Sequence, residues 1–274
     1  MPFRFFAAAA ALAHRAAPLT LSLLLGSGAW HTHAQAQAPG DAAIEVRSAQ
    51  GQLAKQPASW QAPMAARMQF TVEGKYKNLP YKTKAQLDWL PQGTRYEAAQ
   101  EVQIPIVGIR RQSSVGSLSA HGLQPEIFMD RGRKESSATF DPQAGQIVFS
   151  RGNPAASWAA GTQDRISVFF QVAGMLAAAP KSYPAGTQIT VQAASTGHVS
   201  PWTFTVRDME TLQLPAGRIA ALKLEHSSES HQADGIRSAL WLAPSLQYLP
   251  VRIRMVEDDG RDELDLKLQS HSKP

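Results

Sequence analysis

Two pairs of charged residues have the clearest chemical potential in this sequence: the adjacent Asp164 and Arg165, and the alternating Arg252 and Arg254. A carboxylate at position 164 suits the first turn of a helix, where free backbone N–H groups and the helix dipole favour negative charge. Arg165 then either recognises an anion or a protein partner, or forms a salt bridge that fixes the helix to its neighbours. The salt bridge is the simpler interpretation.

Arg252 and Arg254 alternate with Val251 and Ile253, and this period of two is typical of a strand with one face in the core. The two arginines therefore share the other face. On a concave face, such a pair is expected to bind an anionic ligand, whereas on a convex face it is solvated. The surrounding stretch, residues 241–254, is interpreted as a hairpin that sets strand register, not as a catalytic loop.

No motif of nucleophilic or cofactor-dependent catalysis is found. The sequence lacks a Gly-x-Ser-x-Gly elbow, a phosphate-binding glycine loop and a dinucleotide fingerprint. Its closest serine-rich stretch, residues 116–122, is explained by a strand that ends in a glycine turn. The absence of cysteine excludes thiol nucleophiles, zinc–thiolate sites and iron–sulfur clusters. No catalytic residue and no cofactor are assigned.

The densest group of potential metal ligands is His226, Glu229, His231 and Asp234. The two histidines are not spaced as in a helical zinc motif, and the stretch is interpreted as a polar hairpin loop. A metal site is therefore not predicted. The acidic stretch from Asp258 is interpreted as a solvated turn.

Aromatic residues could line an apolar cavity or fill a core, and both interpretations stay open. Trp89, Phe169 and Trp241 are the cavity candidates taken forward. Together with the charged pairs, the candidate ligand-binding residues are Asp164, Arg165, Trp89, Phe169, Trp241, Arg252 and Arg254.

The elements that must position these residues are mostly strands. From residue 67 on, alternating patterns such as Met68, Phe70 and Val72 recur with turn signals between them, which predicts about a dozen antiparallel strands. One apolar segment, 161–180, has helical spacing and predicts a helix over 164–178, capped by Thr162 or Asp164. The predicted fold is mainly β: a large curved antiparallel sheet, half-barrel or open barrel, with one covering α-helix.

The N-terminus predicts export. Arg4 and Arg15 precede an apolar run, and Ala34-Gln35-Ala36 follows it as a cleavage signal, which is the pattern of a secretory signal peptide over 1–36. No cysteine follows, so a lipoprotein is not expected. The predicted organisation is a signal peptide (1–36), an Ala/Gln/Pro-rich leader or linker (37–66) and a single antiparallel β domain (67–270).

The mature protein is predicted to be a periplasmic monomer without a transmembrane segment. Removing the two arginines of residues 1–36 lowers the formal charge from +5 to +3. The remaining basic residues are scattered, which does not favour nucleic-acid binding.

Several motifs, in this order and spacing, resemble an exported proteobacterial family known as domain of unknown function 3108. The motifs are Leu87-Asp88-Trp89, Ser114-x-Gly-x-Leu, Gly122-Leu123-x-Pro125-x-x-Phe128, Phe140-Asp141, Gly161-x-x-Asp164-Arg165-x-Ser167, Trp241-Leu242-Ala243-Pro244 and Leu249-Pro250-Val251-Arg252-Ile253. The resemblance covers residues 67–268. It implies a periplasmic or envelope location and no established activity. The predicted architecture is also similar to the half-barrel lipoprotein carriers of the periplasm, an analogy of fold alone.

Three functions remain open on the sequence. The favoured one is a non-enzymatic binding or carrier domain, in which an apolar cavity shelters a hydrophobic or anionic envelope ligand or the surface contacts an envelope protein. The second is an envelope hydrolase that acts on polysaccharide or peptidoglycan. The third is a protein-docking assembly factor.

Overall fold

A computed structural model describes residues 43–54, 59–104, 108–227, 236–257 and 259–274. The signal peptide predicted over 1–36 lies outside the described residues. So do Glu229, His231, Asp234 and Asp258 of the polar stretches considered above.

The described chain forms sixteen strands and one α-helix. The strands are β1 (Ile44–Arg47), β2 (Ala66–Tyr76), β3 (Leu79–Gln92), β4 (Arg95–Ile104), β5 (Gly108–Ser119), β6 (Gly122–Arg131), β7 (Glu135–Asp141), β8 (Gln146–Phe149), β9 (Ala156–Ser157), β10 (Gln163–Asp164), β11 (Gln188–Ala194), β12 (Val199–Leu214), β13 (Gly217–Ser227), β14 (Ile236–Ala243), β15 (Leu249–Glu257) and β16 (Glu263–Ser272). The helix α1 is Ser167–Ala178, and 3-10 turns cover Pro180–Ser182 and Pro244–Leu246.

All strands belong to one sheet, in the order β1-β11-β12-β13-β14-β15-β16-β2-β3-β4-β5-β6-β7-β8-β9, with β10 parallel to β11. The other neighbours are antiparallel, and the β16–β2 pair joins the two arms of the sheet from Arg67↔Ser272 to Lys75↔Glu263. In the described chain the end strands β1 and β9 do not pair with each other, so the sheet is open.

The predicted fold class is confirmed, with sixteen strands in place of about a dozen. Two of the additional strands, β9 and β10, have two residues each, which is too short for a period to be recognised. The segments 202–208 and 210–214, predicted as separate strands, form the single strand β12, because a bulge between Val206 and Met209 carries the pairing through.

The sheet curves around α1, whose residues 167–176 are all buried. Phe170 stacks on Trp89 of β3 with ring centroids 4.4 Å apart, while its neighbour Phe169 lies 6.3 Å from Trp202 of β12. Strands from both arms thus contact adjacent residues of the helix. A helix that is apolar on every side is stable only when it is enclosed in this way.

The inner face of the sheet has two halves. Beside α1, in what we call the lower half, inward residues are apolar and almost fully buried: Met68, Phe70, Leu87, Phe128, Val206, Leu224, Leu240, Val251, Ile253, Leu266 and Leu268. Beyond the N-terminal end of α1, in the upper half, the inward positions of β4, β5 and β6 carry Gln100, Gln112 and Asp130 instead. The helix therefore covers the lower half, and the upper half combines this polar row with apolar inward residues such as Val102 and Ile104 of β4.

The described parts of the predicted leader, residues 37–66, belong to the domain. β1 pairs with β11, and the Trp60 indole Nε1 donates to the Gln171 carbonyl oxygen at 3.0 Å. The indole lies against Gly174, where a Cβ atom would come within 2.0 Å of it. The domain thus begins before residue 67. The short strand predicted at Ile44–Arg47 is present as β1, but its pairing with β11 and the contact of Trp60 with α1 could not be read from alternation.

Candidate functional site

Asp164 is fully buried at the start of α1. Its Oδ1 accepts the backbone N–H groups of Ile166 and Ser167, both at 2.8 Å, and its Oδ2 accepts the Ser114 hydroxyl at 2.5 Å. Asp164 thus accepts from first-turn N–H groups as the sequence suggested, although it lies in β10 and α1 begins at Ser167, with Ile166 as N-cap, and not at 164. Because Ser114 lies in the middle of β5, the same carboxylate also fastens the helix to the sheet.

Burial raises the pKa of Asp164 to about 6, and the hydrogen bonds from Ser114 and Ser167 offset part of that rise. The Ser114 hydroxyl, whose proton goes to Asp164, accepts from Tyr96 Oη at 2.9 Å. A serine beside a carboxylate is one ingredient of nucleophilic catalysis. Here both residues have no exposed surface, so a substrate cannot reach them. We call Tyr96, Ser114, Asp164 and Ser167 the Asp164 cluster and interpret it as structural.

A row of polar side chains crosses the upper half of the inner face. Gln100, Gln112 and Asp130 are direct cross-strand neighbours on β4, β5 and β6. Gln112 Nε2 donates to Asp130 Oδ2 at 3.1 Å, and Arg110 forms an ion pair with the same carboxylate. We call this row, with Arg110 and Arg165, the upper chamber.

On the row of cross-strand neighbours in the upper chamber, Gln100 Nε2 and Asp130 Oδ1 are buried without a hydrogen-bond partner in the described chain. Gln100 is 3% exposed and Asp130 is 4% exposed. Leaving a buried polar atom unpaired costs about 1–3 kcal/mol, and such atoms in native proteins usually contact a bound molecule or water. One free donor and one free acceptor therefore lie on the same wall of the chamber.

The chamber is rich in positive charge. Burial lowers the pKa of Arg110, Asp130 opposes this effect, and the nearby charge of Arg165 lowers the pKa further. The guanidinium groups of Arg110 and Arg165 are therefore close enough to repel each other. The carboxylate of Asp130, on β6, offsets part of this repulsion. Arg165, 8% exposed, lies where the sequence analysis placed an anion-recognising residue.

The opposite wall of the upper half is aromatic. Trp202 of β12 stacks on His226 of β13 with centroids 5.3 Å apart and an interplanar angle of 17°. His226 Nδ1 donates to the Thr203 carbonyl oxygen at 3.0 Å. Trp202 and Arg110 are only partly buried although both are on the inner face.

Of the three predicted cavity residues, Trp89 and Phe169 lie inside the sheet and Trp241 lies on its outer face. Trp89 is fully buried in the lower half, and Phe169 packs below the aromatic wall. The expected apolar cavity at this position is filled by α1, since Phe170 occupies the space against Trp89.

Trp241, Arg252 and Arg254 lie on the outer face. The Trp241 ring is covered by the Arg252 guanidinium at 4.5 Å and the Lys223 ammonium at 5.6 Å, and its Nε1 donates to Glu210 at 2.7 Å. The predicted set therefore forms two groups, with Asp164, Arg165, Trp89 and Phe169 inside and the other three residues outside.

The sequence analysis missed Gln100, Gln112 and Asp130. Gln100 interrupts an inward apolar pattern between Ala98 and Val102, and Asp130 follows the inward Phe128, whereas Gln112 lies between the polar Arg110 and Ser114. One polar residue at an inward position does not indicate a site. Three polar residues that are cross-strand neighbours on consecutive strands do indicate one. Finding it required the strand register, which depends on the β5–β6 bulge between Val115 and Gly116.

Among the described residues no three His, Asp or Glu side chains are placed to bind a metal ion. Within the same residues, the one α-helix is too short and insufficiently apolar to cross a membrane.

Comparison with known proteins gives a family and a fold. The model of the family described as "Protein of unknown function (DUF3108)" matches residues 66–267. No curated protein sequence matches the chain. A solved β-barrel-like protein of another domain of unknown function, DUF1849, from Brucella abortus is similar in structure, with a TM-score of 0.52 at 9% identity over 79% of this chain and 100% of that one.

A domain with a predicted role as an outer membrane lipoprotein-sorting protein, from Vibrio parahaemolyticus, overlaps with 76% of this chain and 85% of its own. Its TM-score is 0.25 at 8% identity, which is too low to indicate a shared fold.

Proposed function

Given that the chain belongs to the DUF3108 family of proteins of unknown function, we propose that it is a non-enzymatic binding protein of the cell envelope whose ligand occupies the upper chamber. The observation that carries the proposal is the unpaired donor and acceptor, Gln100 Nε2 and Asp130 Oδ1, buried on one wall of the chamber. Leaving these two buried atoms unpaired costs free energy. A ligand that supplies the missing hydrogen-bond partners offsets that cost.

The chemistry of the chamber suits a hydroxyl-rich ligand such as a saccharide. A hydroxyl group both donates and accepts, so neighbouring hydroxyls satisfy the Gln100 amide and the Asp130 carboxylate together. Arg110 and Arg165 add donors, which also accommodate an acidic sugar. Trp202, on the opposite wall, offers an apolar surface to the C–H groups of a sugar ring.

The proposal includes the location. The pattern of residues 1–36 supports export through a cleavable signal peptide into the periplasm, where saccharides of the envelope are present. The mature protein is proposed to act there as a monomer.

We expect the Gln100→Ala variant to bind about tenfold more weakly than the wild-type protein, because one hydrogen bond in a water-excluded site is lost. Native mass spectrometry of gently purified protein identifies the species that is bound. Titration calorimetry with a panel of neutral and acidic oligosaccharides then measures the affinity of each variant.

Gln103→Ala is the matched control, since Gln103 lies on the same strand but on the exposed outer face. It should bind like the wild-type protein. The proposal is wrong if the wild-type protein neither retains nor takes up any saccharide, or if Gln100→Ala and Gln103→Ala have the same affinity.

A further inference from the structure

The outer face of β12 to β15 has a depression of about 550 Å³, a volume typical of small-molecule sites. Its floor is Ala239, which lies between Glu225 and Arg254 in the cross-strand row. The next row of outward residues contains Lys223, Trp241 and Arg252. The short Ala239 side chain, surrounded by long ones, creates the depression.

Positive side chains dominate the lining of this basic depression. Five cationic residues, Arg207, Lys223, Arg237, Arg252 and Arg254, line it together with one carboxylate, Glu225. Glu225 accepts from Arg207 at 2.8 Å and forms an ion pair with Lys223 at 2.7 Å. Lys223 also forms an ion pair with Glu210 at 3.4 Å, so the two glutamates neutralise part of the charge.

The arginines of β15 are held by carboxylates beyond the rim, on β16. Arg252 donates from Nε and Nη2 to both oxygens of Asp265, at 2.8 and 2.7 Å. Arg254 uses the same two nitrogens for Glu263, at 2.9 and 2.7 Å. These pairs orient the guanidinium groups in advance and, within the described chain, leave the two N–H groups of each Nη1 without a hydrogen-bond acceptor. Preorganised donors lose little entropy when a ligand binds.

We propose that the basic depression is a second binding site, separate from the upper chamber, for a ligand that carries a phosphate monoester. Cationic donors from three strands surround the floor: Lys223 on β13, Arg237 on β14 and the two arginines on β15. A phosphate monoester has three terminal oxygens and a charge near −2 at neutral pH, which matches donors from several sides. Arginine forks pair with phosphate through two parallel hydrogen bonds.

Filling the floor tests the site without changing its charge. We expect Ala239→Leu to weaken binding of glycerol 3-phosphate at least about tenfold, because the leucine side chain occupies the space for the phosphate, and each charge-assisted hydrogen bond lost corresponds to about that factor. Arg254→Gln should weaken binding several-fold and reduce its dependence on salt. Titration calorimetry at low ionic strength measures both effects.

The controls separate the site from general charge attraction. Arg218→Gln removes an equal charge from an exposed position on β13 outside the depression and should bind like the wild-type protein. Glycerol replaces glycerol 3-phosphate as the unphosphorylated control. Thermal unfolding verifies that each variant is folded.

The source of the phosphate is distinguished by two further probes, inorganic phosphate and vesicles of phosphatidylcholine with phosphatidic acid, whose headgroup is a phosphate monoester. Tight binding of glycerol 3-phosphate that Ala239→Leu abolishes supports a soluble phosphorylated ligand. Binding to the anionic vesicles alone, again lost in Ala239→Leu, supports a lipid headgroup. The inference is overturned if glycerol 3-phosphate, inorganic phosphate and the vesicles all fail to bind. It is also overturned if Ala239→Leu and Arg218→Gln both bind as the wild-type protein does. Gln100→Ala should leave this binding unchanged, so failure here is distinct from failure of the chamber proposal.

Discussion

Replacing Asp164 with alanine is expected to lower the free energy of unfolding by about 3 kcal/mol at neutral pH. The change removes the acceptor for the Ile166 and Ser167 backbone N–H groups and for the Ser114 hydroxyl. Each buried donor left without a partner costs about 1–3 kcal/mol, and relief of the buried charge offsets part of the sum. Urea unfolding followed by tryptophan fluorescence measures the difference.

Asp164→Asn is the matched variant, since asparagine keeps the acceptor for the backbone and donates to Ser114 in place of accepting. The pKa of Asp164 rises from 3.8 to about 6 on folding, so the folded state holds the proton more tightly. Stability therefore falls as pH rises from about 4 to about 6, by about 3 kcal/mol from this group. In Asp164→Asn this contribution disappears.

The measurement compares the unfolding free energies of the wild-type protein and Asp164→Asn at several pH values between 4 and 7. The difference between them isolates Asp164 from the other carboxylates. A constant difference across that range would contradict the assignment, as would an equal loss of stability in Asp164→Ala and Asp164→Asn.

Gly174→Ala is expected to destabilise the protein by about 2 kcal/mol, although alanine is the better helix former. The new Cβ atom would lie 2.0 Å from the Trp60 Nε1 atom. Trp60 must then leave the helix surface and lose its hydrogen bond to the Gln171 carbonyl oxygen at 3.0 Å. Overpacking of this kind typically costs about 1–3 kcal/mol, and thermal or urea unfolding detects it.

The sign of this effect should reverse when Trp60 is removed. In a Trp60→Ala background, Gly174→Ala meets no indole and should stabilise the protein by up to about 1 kcal/mol, the difference in helix propensity. The double-mutant cycle thus measures the coupling of the segment before β2 to α1. Equal effects of Gly174→Ala in both backgrounds would show that Trp60 does not pack there.

The sequence predicts those parts of the fold that local patterns determine. Alternation located most strands, and an oxygen side chain before an apolar segment located the start of α1 near Asp164. The partners of Asp164 could not be predicted, because Ser114 lies 50 residues away in the sequence. Only the curvature of the sheet brings them together.

The faces of the sheet set a second limit to prediction. Period-two alternation placed Arg252 and Arg254 on one side of β15, but it does not distinguish an inner from an outer face. Both faces of this sheet carry binding-competent groups, since Gln100 and Asp130 lie inside whereas the arginines lie outside. The depth of the depression beside the arginines depends on the short side chain of Ala239. The alternation pattern does not distinguish this residue from any other outward strand residue.

The pairing of β16 with β2 has a consequence for the order of folding. Lys267 and Glu73, which form an ion pair across this seam, are separated by 194 residues in the sequence. Contacts between such distant segments form slowly. Until residues 263–272 have been synthesised, β2 is an open edge next to a partly formed core, and such edges are prone to aggregation. The seam therefore delays completion of the fold until nearly the whole polypeptide has been synthesised.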